Sequence, residues 1–263
     1  MDALTQFKEA QKQGWAHFLP LETITTPAAA KLVRFAGLGE GQQVLDVACG
    51  TGVVAVTAAR AGARVTGLDL TPELLQRARE NAELAGVEIE WHEGDVEQLP
   101  FPDCSFEVVF SQFGHMFAPR PDVAIAEMLR VLKPGGTIAF STWPPELLIG
   151  RLFALVVHYA PPPPEVAPPP LWGDPNIIRE RLGSAVKEIV FDRERMQVAA
   201  LSPAHSRVMM ERAGPMIKLV EKLSRENPAD LDLFRREYEA LVAQYLEANI
   251  VHQDYLMTRA IKI

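Results

Sequence analysis

The stretch VLDVACGTGVVAV, residues 44–56, decides the fold. An apolar run that reads as buried strand carries one acid, Asp46, and stops at Gly50-Thr51-Gly52 before turning apolar again. QVLDVAC (43–49) is predicted as the first strand and VVAVTAARAG (53–62) as a helix stopping at Gly62. Glycines at the turn admit a ligand with no Cβ in the way. The start of the following helix offers free N–H groups. This strand–turn–helix geometry suits a nucleotide-like ligand at the carboxyl edge of a parallel sheet.

Outward from this stretch, strand-like and helix-like patterns alternate, as in a parallel sheet covered by helices. RVTGLDL (64–70) is predicted as the second strand and TPELLQRARENAELAG (71–86) as a helix. Thr71 suits its cap, Pro72 its first turn and Gly86 its end. VEIEWHEGD (87–95) alternates as a third strand, and FEVVFSQF (106–113) reads as a fourth, buried on both faces. A helix over 122–132, a KPGG turn at 133–136 and a fifth strand over 137–143 follow. Residues 144–175 lose periodicity, with a short helix near 148–159 ahead of a proline-rich run over 161–170. That run reads as a stiff surface spacer or, alternatively, as a polyproline ligand for a partner domain. A strand over 185–198, two helices broken near Gly214-Pro215, the clearer one running from Asn227-Pro228 to about Asn249, and a last strand over 255–263 complete the chain. Leu231, Phe234, Tyr238, Leu241 and Tyr245 form a packing stripe on the last helix.

Composition narrows the function classes. A net charge of −8 weighs against nucleic acid and anionic membranes as partners. Two cysteines, Cys49 and Cys104, with no CxxC pair, give no metal or disulfide framework. The polar start, MDALTQFKEAQKQGW, lacks an apolar signal core, and no apolar run reaches membrane-span length. A cytoplasmic protein, monomeric or homodimeric, is expected.

Three acids carry the chemistry. Gly50, Gly52 and Ala55 spell G-x-G-x-x-A, with Asp69 about 20 residues on, a pattern that dinucleotide enzymes share. Asp69 ends the second strand, where it suits both ribose hydroxyls; its bland alternative is an acid ahead of the Thr71-Pro72 helix start. Asp46, four residues before Gly50, would repel a pyrophosphate and attract a cationic amino group and a sulfonium. Asp95 follows the third strand in GDVEQLPFPDCSFEVV and can accept an adenine amine, with the Val96 backbone beside the ring.

VLDVACGTG, GLDLTPELL, GDVEQLPFPDCSFEVVFSQF and VLKPGG occur in that order. Together they resemble the successive motifs of class I S-adenosylmethionine-dependent methyltransferases, the UbiE-like small-molecule subgroup above all. The resemblance spans roughly residues 30–143. It implies an α/β fold: a seven-stranded Rossmann-like sheet, mostly parallel with an antiparallel last strand, under a helical cap. The whole chain, 1–263, is then a single domain, its core 30–143 plus 185–198 and 255–263, its cap drawn from 1–29, 144–184 and 199–250. S-adenosylmethionine is the implied cofactor. By the same resemblance Asp46 holds the methionine amino group, and Ala48, Gly50 and Gly52 shape the turn beneath methionine and ribose. Asp69 takes the ribose with Leu70 flanking the adenine, Asp95 and Val96 take the adenine, and Ser111 with Gln112 lies near the methionine part. Cys49 is a small buried filler rather than a nucleophile.

The implied reaction is an in-line displacement onto a small, apolar or aromatic acceptor, needing neither metal nor covalent intermediate. His115, after the fourth strand, is the candidate base; it reads equally as a packed loop residue. His17, His158 and His205 are weaker candidates. Trp15, Phe18, Phe113, Met116, Phe117, Trp143 and Trp172 are candidates for the acceptor pocket, with core packing the default for each taken singly. Two alternatives stand beside this reading: an NAD(P)-dependent oxidoreductase, which Asp46 disfavours, and a non-catalytic methyltransferase-like binding subunit.

Overall fold

The structure is a computed structural model that describes residues 2–263. In chain order the elements are α1 (Ala3–Trp15), α2 (Glu22–Ala36), β1 (Gln43–Val47), α3 (Val53–Arg60), β2 (Arg64–Asp69), α4 (Pro72–Ala85), β3 (Glu90–Glu93), β4 (Phe106–Gln112), α5 (Pro121–Val131) and β5 (Leu132–Thr142). Then come α6 (Leu148–Tyr159), α7 (Pro175–Leu182), β6 (Val186–Ala199), α8 (Pro203–Met210), α9 (Met216–Glu226), α10 (Pro228–Ala243), β7 (Leu246–Glu247) and β8 (Ile250–Lys262).

The sheet order is β3-β2-β1-β4-β5-β8-β6. β1 through β5 are parallel, and β8 runs antiparallel between β5 and β6. From β1 the chain winds outward to β3 through α3 and α4, then restarts at β4 and winds the other way through α5. Right-handed crossovers in opposite directions place those helices on opposite faces and open a crevice between β1 and β4. Val44, Leu45, Val108, Val109, Phe110, Ile138, Ala139 and Phe140 are all fully buried or nearly so, as strands covered on both faces require. A second apolar cluster lies outside the sheet core. It joins Leu148 and Leu152 of α6, Leu219 and Leu223 of α9, and Leu231, Phe234, Tyr238 and Leu241 of α10 to Val198 and Val251 of the sheet.

Several boundaries differ from those read in the sequence. KPGG lies inside β5: the register with β4 shifts between Phe106 and Val108, so the segment bulges without ending the strand. Residues 199–250 hold three helices, because Gly214-Pro215 and Asn227-Pro228 each interrupt the run. Ser202 and Asn227 cap α8 and α10 through their side chains. The last helix ends at Ala243, and Ala248 and Asn249, both with positive φ, turn the chain from β7 into β8. β8 therefore begins at Ile250, five residues ahead of the expected position 255.

Two glycines make room for one side chain. A Cβ on Gly67 in β2 would lie 2.4 Å from the Trp91 ring, and one on Gly52 would lie 2.6 Å from it. Gly52 thus makes room for the indole, whereas a Cβ on Gly50 would meet nothing within 4 Å. Gly67→Ala is expected to destabilise the protein by about 1–3 kcal/mol through overpacking. Adding Trp91→Leu recovers part of that loss, because the two sites are in contact. Urea denaturation of the two single variants and the double variant measures the coupling.

Candidate functional site

A cavity of about 620 Å³ opens over the carboxyl ends of β1, β2 and β4. Asp46, Asp69 and Asp95 all line it, although they come from three different strand ends. Each is fixed by backbone donors. Asp46 Oδ2 accepts from the Ala55 N–H at 2.9 Å, tying β1 to the first turn of α3. Asp69 accepts from the Gly50 N–H at 2.7 Å and the Thr71 N–H at 2.8 Å, so it closes the glycine turn and starts α4 together. Asp95 accepts from the Glu97 N–H at 2.9 Å and pairs with the Lys8 ammonium at 2.6 Å. Lys8 also reaches Glu97, whose carboxylate is bound by Arg120 as well. The Asn81 amide, which shares Glu22 with Arg77, donates to the Thr51 carbonyl and braces the turn from α4.

The electrostatics follow from burial. Asp46 is buried and its Oδ1 has no hydrogen-bond partner. Desolvation pushes its carboxyl up to about 8, with the nearby Asp69 charge adding to the shift and the Ala55 N–H opposing it. Burial likewise raises Asp69, against the backbone donors of Thr71 and Gly50. Gln112 Nε2 donates to the Thr25 carbonyl at 3.0 Å, which fixes the amide and leaves Oε1 buried and unpartnered. Two unpartnered acceptors therefore sit at the ends of neighbouring strands β1 and β4, a pairing that calls for a ligand bringing N–H donors. The Cys49 thiol, also at this end, is raised by burial, consistent with an inert filler.

The rim is strained where the two loops meet. Ala48 (φ 51°) and Phe113 (φ 58°) both adopt left-handed backbone. A Cβ on Gly114 would lie 2.6 Å from the Ala48 carbonyl oxygen, so only glycine lets the loop after β4 rest on the loop after β1. Phe113 then stacks on Trp143, with ring centroids 4.2 Å apart and planes 11° from parallel. Trp15 of α1 meets Phe117 at 4.7 Å from the other side.

Thirteen of the residues read from sequence line this cavity: Asp46, Ala48, Gly50, Asp69, Leu70, Asp95, Val96, Gln112, Trp15, Phe18, Phe113, Phe117 and Trp143. Five do not. Gly52 packs on Trp91, as above. Ser111 is buried, donating to the Val47 carbonyl and accepting from the His115 N–H. His115 is itself fully buried, its ring edge-on to Phe140 and Trp172. Burial depresses it to about 3, with Arg181 adding to the shift, so it is neutral and away from the cavity. Met116 and Trp172 lie in the same core. The proline run lies at the surface with only Val166 buried, and its Pro161, Pro162, Pro163 and Pro169 form part of the cavity wall. Sequence reading also missed Lys8, Gln11, Thr25 and Gln253 in the lining. The spacing of Lys8, Gln11 and Trp15 along one face of α1 was the available clue.

Fold and site together define an α/β protein with an open cavity at its β1–β4 switch point. The chain matches the methyltransferase domain family over residues 44–136. It is 35% identical over 254 residues to Rv1405c, an uncharacterized protein of Mycobacterium tuberculosis, covering 94% of this chain and 92% of that one. It is 37% identical over 125 residues to a demethylmenaquinone methyltransferase of Deinococcus radiodurans, covering 46% of this chain and 52% of that one. Among solved structures, phosphoethanolamine N-methyltransferase 2 of Haemonchus contortus, in complex with phosphomonomethylethanolamine and S-adenosylhomocysteine, superposes with a TM-score of 0.59. That match has 18% identity and covers 93% of this chain and 56% of that one. The chain belongs to the class I S-adenosylmethionine-dependent methyltransferases. No helix among the described residues is long and apolar enough to cross a membrane.

The Asp46 shift has a consequence for stability. The unfolded chain releases this proton near the ordinary value of 3.8, while the folded chain keeps it until about 8. Between those values the folded state binds more protons, so this group makes stability fall as pH rises across that window. Asp46→Asn is expected to flatten that fall in the ligand-free protein. Urea denaturation at about pH 5 and about pH 8 reads the difference.

Proposed function

We propose that the protein transfers a methyl group from S-adenosylmethionine to a small, apolar or aromatic acceptor by in-line displacement. The observation carrying this reading is the convergence of Asp46, Asp69 and Asp95 on one end of a cavity whose other end is apolar. The residues fit the cofactor: the unpartnered oxygens of Asp46 and Gln112 suit its ammonium group, and Asp69 suits its ribose hydroxyls. Asp95, with the Val96 backbone beside it, suits the adenine, and Leu70 offers that ring an apolar edge. A diphosphate is a poor alternative, because this acid-lined edge offers it no free counter-charge, Lys8 being committed to Asp95 and Glu97.

When bound, S-adenosylmethionine would supply an activated methyl on sulfonium: the acceptor's electron pair would form the new bond, the carbon–sulfur pair would stay on sulfur, and a proton on the acceptor atom would pass to bulk solvent when the product leaves. The protein's own part is then placement and exclusion of water. Phe113, held rigid by its stack on Trp143, and Phe117, held by Trp15, form the wall where acceptor and methyl meet. The stretches 1–29, 144–184 and 199–250 act as the cap of a single-domain enzyme, closing this region from above. His115 takes no part as a base, being packed in the core outside the cavity, where burial makes its ring a weak base.

Ligand-dependent thermal stability tests the cofactor assignment. S-adenosylhomocysteine at about 100 times its Kd is expected to raise Tm by about 5–10 °C, whereas NADH leaves it unchanged. Asp69→Asn is expected to weaken S-adenosylhomocysteine binding about 10–100-fold, as for a hydrogen bond to a charged group. A shift with NADH alone overturns the reading.

A further inference from the structure

The carboxylates and the ammonium that line the cavity are gathered at one end. Asp46, Asp69 and Asp95 occupy strand ends, and Lys8 is committed to Asp95 and Glu97. The opposite wall is built by Ile24, Phe153, Val156, Met210 and Leu219, and no acid, base or phenol lines it. An ionised carboxylate or ammonium placed there would lose its hydration without gaining a counter-charge.

Gln11 lines the cavity together with the polar side chains of Thr25, Gln112 and Gln253. Lys8, Gln11 and Trp15 recur along one face of α1, at steps of one and two turns. Lys8 is anchored to Asp95, at the cofactor end, and Trp15 to Phe117, where the chain leaves β4. Gln11 lies between these anchors, lines the cavity, and has a buried Oε1 with no partner. Its amide is free to present either its oxygen or its N–H groups by rotation.

We propose that the methyl acceptor is an uncharged molecule with an apolar body and one hydrogen-bonding head, and that Gln11 is the residue that holds this head. The proposal rests on the cofactor assignment above. It narrows the acceptor beyond apolar: hydroxyl- or carbonyl-bearing compounds fit, while fatty carboxylates and ammonium compounds of the same size do not. Gln11 is a specificity residue here, because the apolar wall alone selects shape but not orientation.

Three probes of matched body and different charge test it: 2-naphthol, 2-naphthoate and 2-(aminomethyl)naphthalene, each titrated calorimetrically at neutral pH into protein saturated with S-adenosylhomocysteine. The neutral 2-naphthol is expected to bind at least about tenfold more tightly than either charged analogue. Gln11→Leu is expected to weaken 2-naphthol about three- to tenfold, the loss of one neutral hydrogen bond, while its affinity for the charged probes stays low. Retention of the S-adenosylhomocysteine thermal shift in Gln11→Leu shows the variant folded and assigns the loss to the acceptor side. Equal or tighter binding of a charged probe overturns the proposal, as does binding of none of the three. Unweakened 2-naphthol binding by Gln11→Leu, or loss of the cofactor-product shift in that variant, overturns the role of Gln11. Failure of the wild-type protein to bind S-adenosylhomocysteine at all instead overturns the cofactor assignment.

Discussion

The arrangement depends on one carboxylate held where water cannot reach it. Asp46 sits in the buried β1, with one oxygen tied to Ala55 and the other without a partner. A hydrophobic side chain there would make a more stable sheet, because burying an acid costs free energy that a single backbone donor does not recover. The cost is borne at the switch point, where parallel-sheet proteins bind ligands. Asp69 shares the site and the cost, but its two backbone donors also build the glycine turn and the start of α4. The three-acid edge is therefore part of the local fold as well as of the chemistry. Removing Asp69 loosens the turn, while removing Asp46 relieves strain in the empty protein.

The cap solves a different problem. Apolar lining above the cofactor edge has to be shielded from solvent without being filled by the sheet core. The second cluster, formed by α6, α9 and α10 against β6 and β8, gives the cap its own buried interior. It can therefore stand over the cavity without collapsing into it. α1 is attached differently, with Gly14 its one fully buried position and its hold on the sheet edge made by Lys8 and Lys12. Prolines 161–163 complete the wall with apolar rings on a backbone whose φ is already fixed. Such a wall keeps its shape without needing a ladder of hydrogen bonds.

Most of the sheet was legible because parallel strands buried on both faces and helices with capped ends leave strong local marks. α4 is the clearest case, running from the Thr71 cap to Gly86 in the left-handed conformation. α6 likewise spans 148–159, as its apolar pattern suggested. The acids at strand ends were legible for a related reason: a carboxylate in a buried strand contradicts its surroundings. What failed depended on contacts distant in sequence. Gly52 looks like a ligand glycine until Trp91, from β3, is placed across it. His115 reads equally as a base or a packed loop residue after β4, and only Trp172, far along the chain, packing against its ring decides between them. The proline run has no periodicity from which its place in the cavity wall could be read. Gln11 has none of the chemistry that marks a site in a sequence, and its position is set by anchors on either side of it.

The distribution of charge within one cavity separates the proposed cofactor edge from the proposed acceptor end. The acids are supplied by strands β1 and β2 and by the loop after β3, whose positions are fixed by parallel pairing with buried neighbours. The apolar end is supplied by α1, α2, the segment after α6 and the region around Gly214, outside the parallel ladder. A substitution among the latter changes shape and polarity without disturbing a backbone hydrogen bond of the sheet. In the sheet and the loops at its β1–β4 edge, by contrast, Gly67 under Trp91 and Gly114 on Ala48 leave no room even for a methyl group. The physical division between a rigid charged edge and a replaceable apolar cap thus follows from where the backbone hydrogen bonds run, before any acceptor is considered.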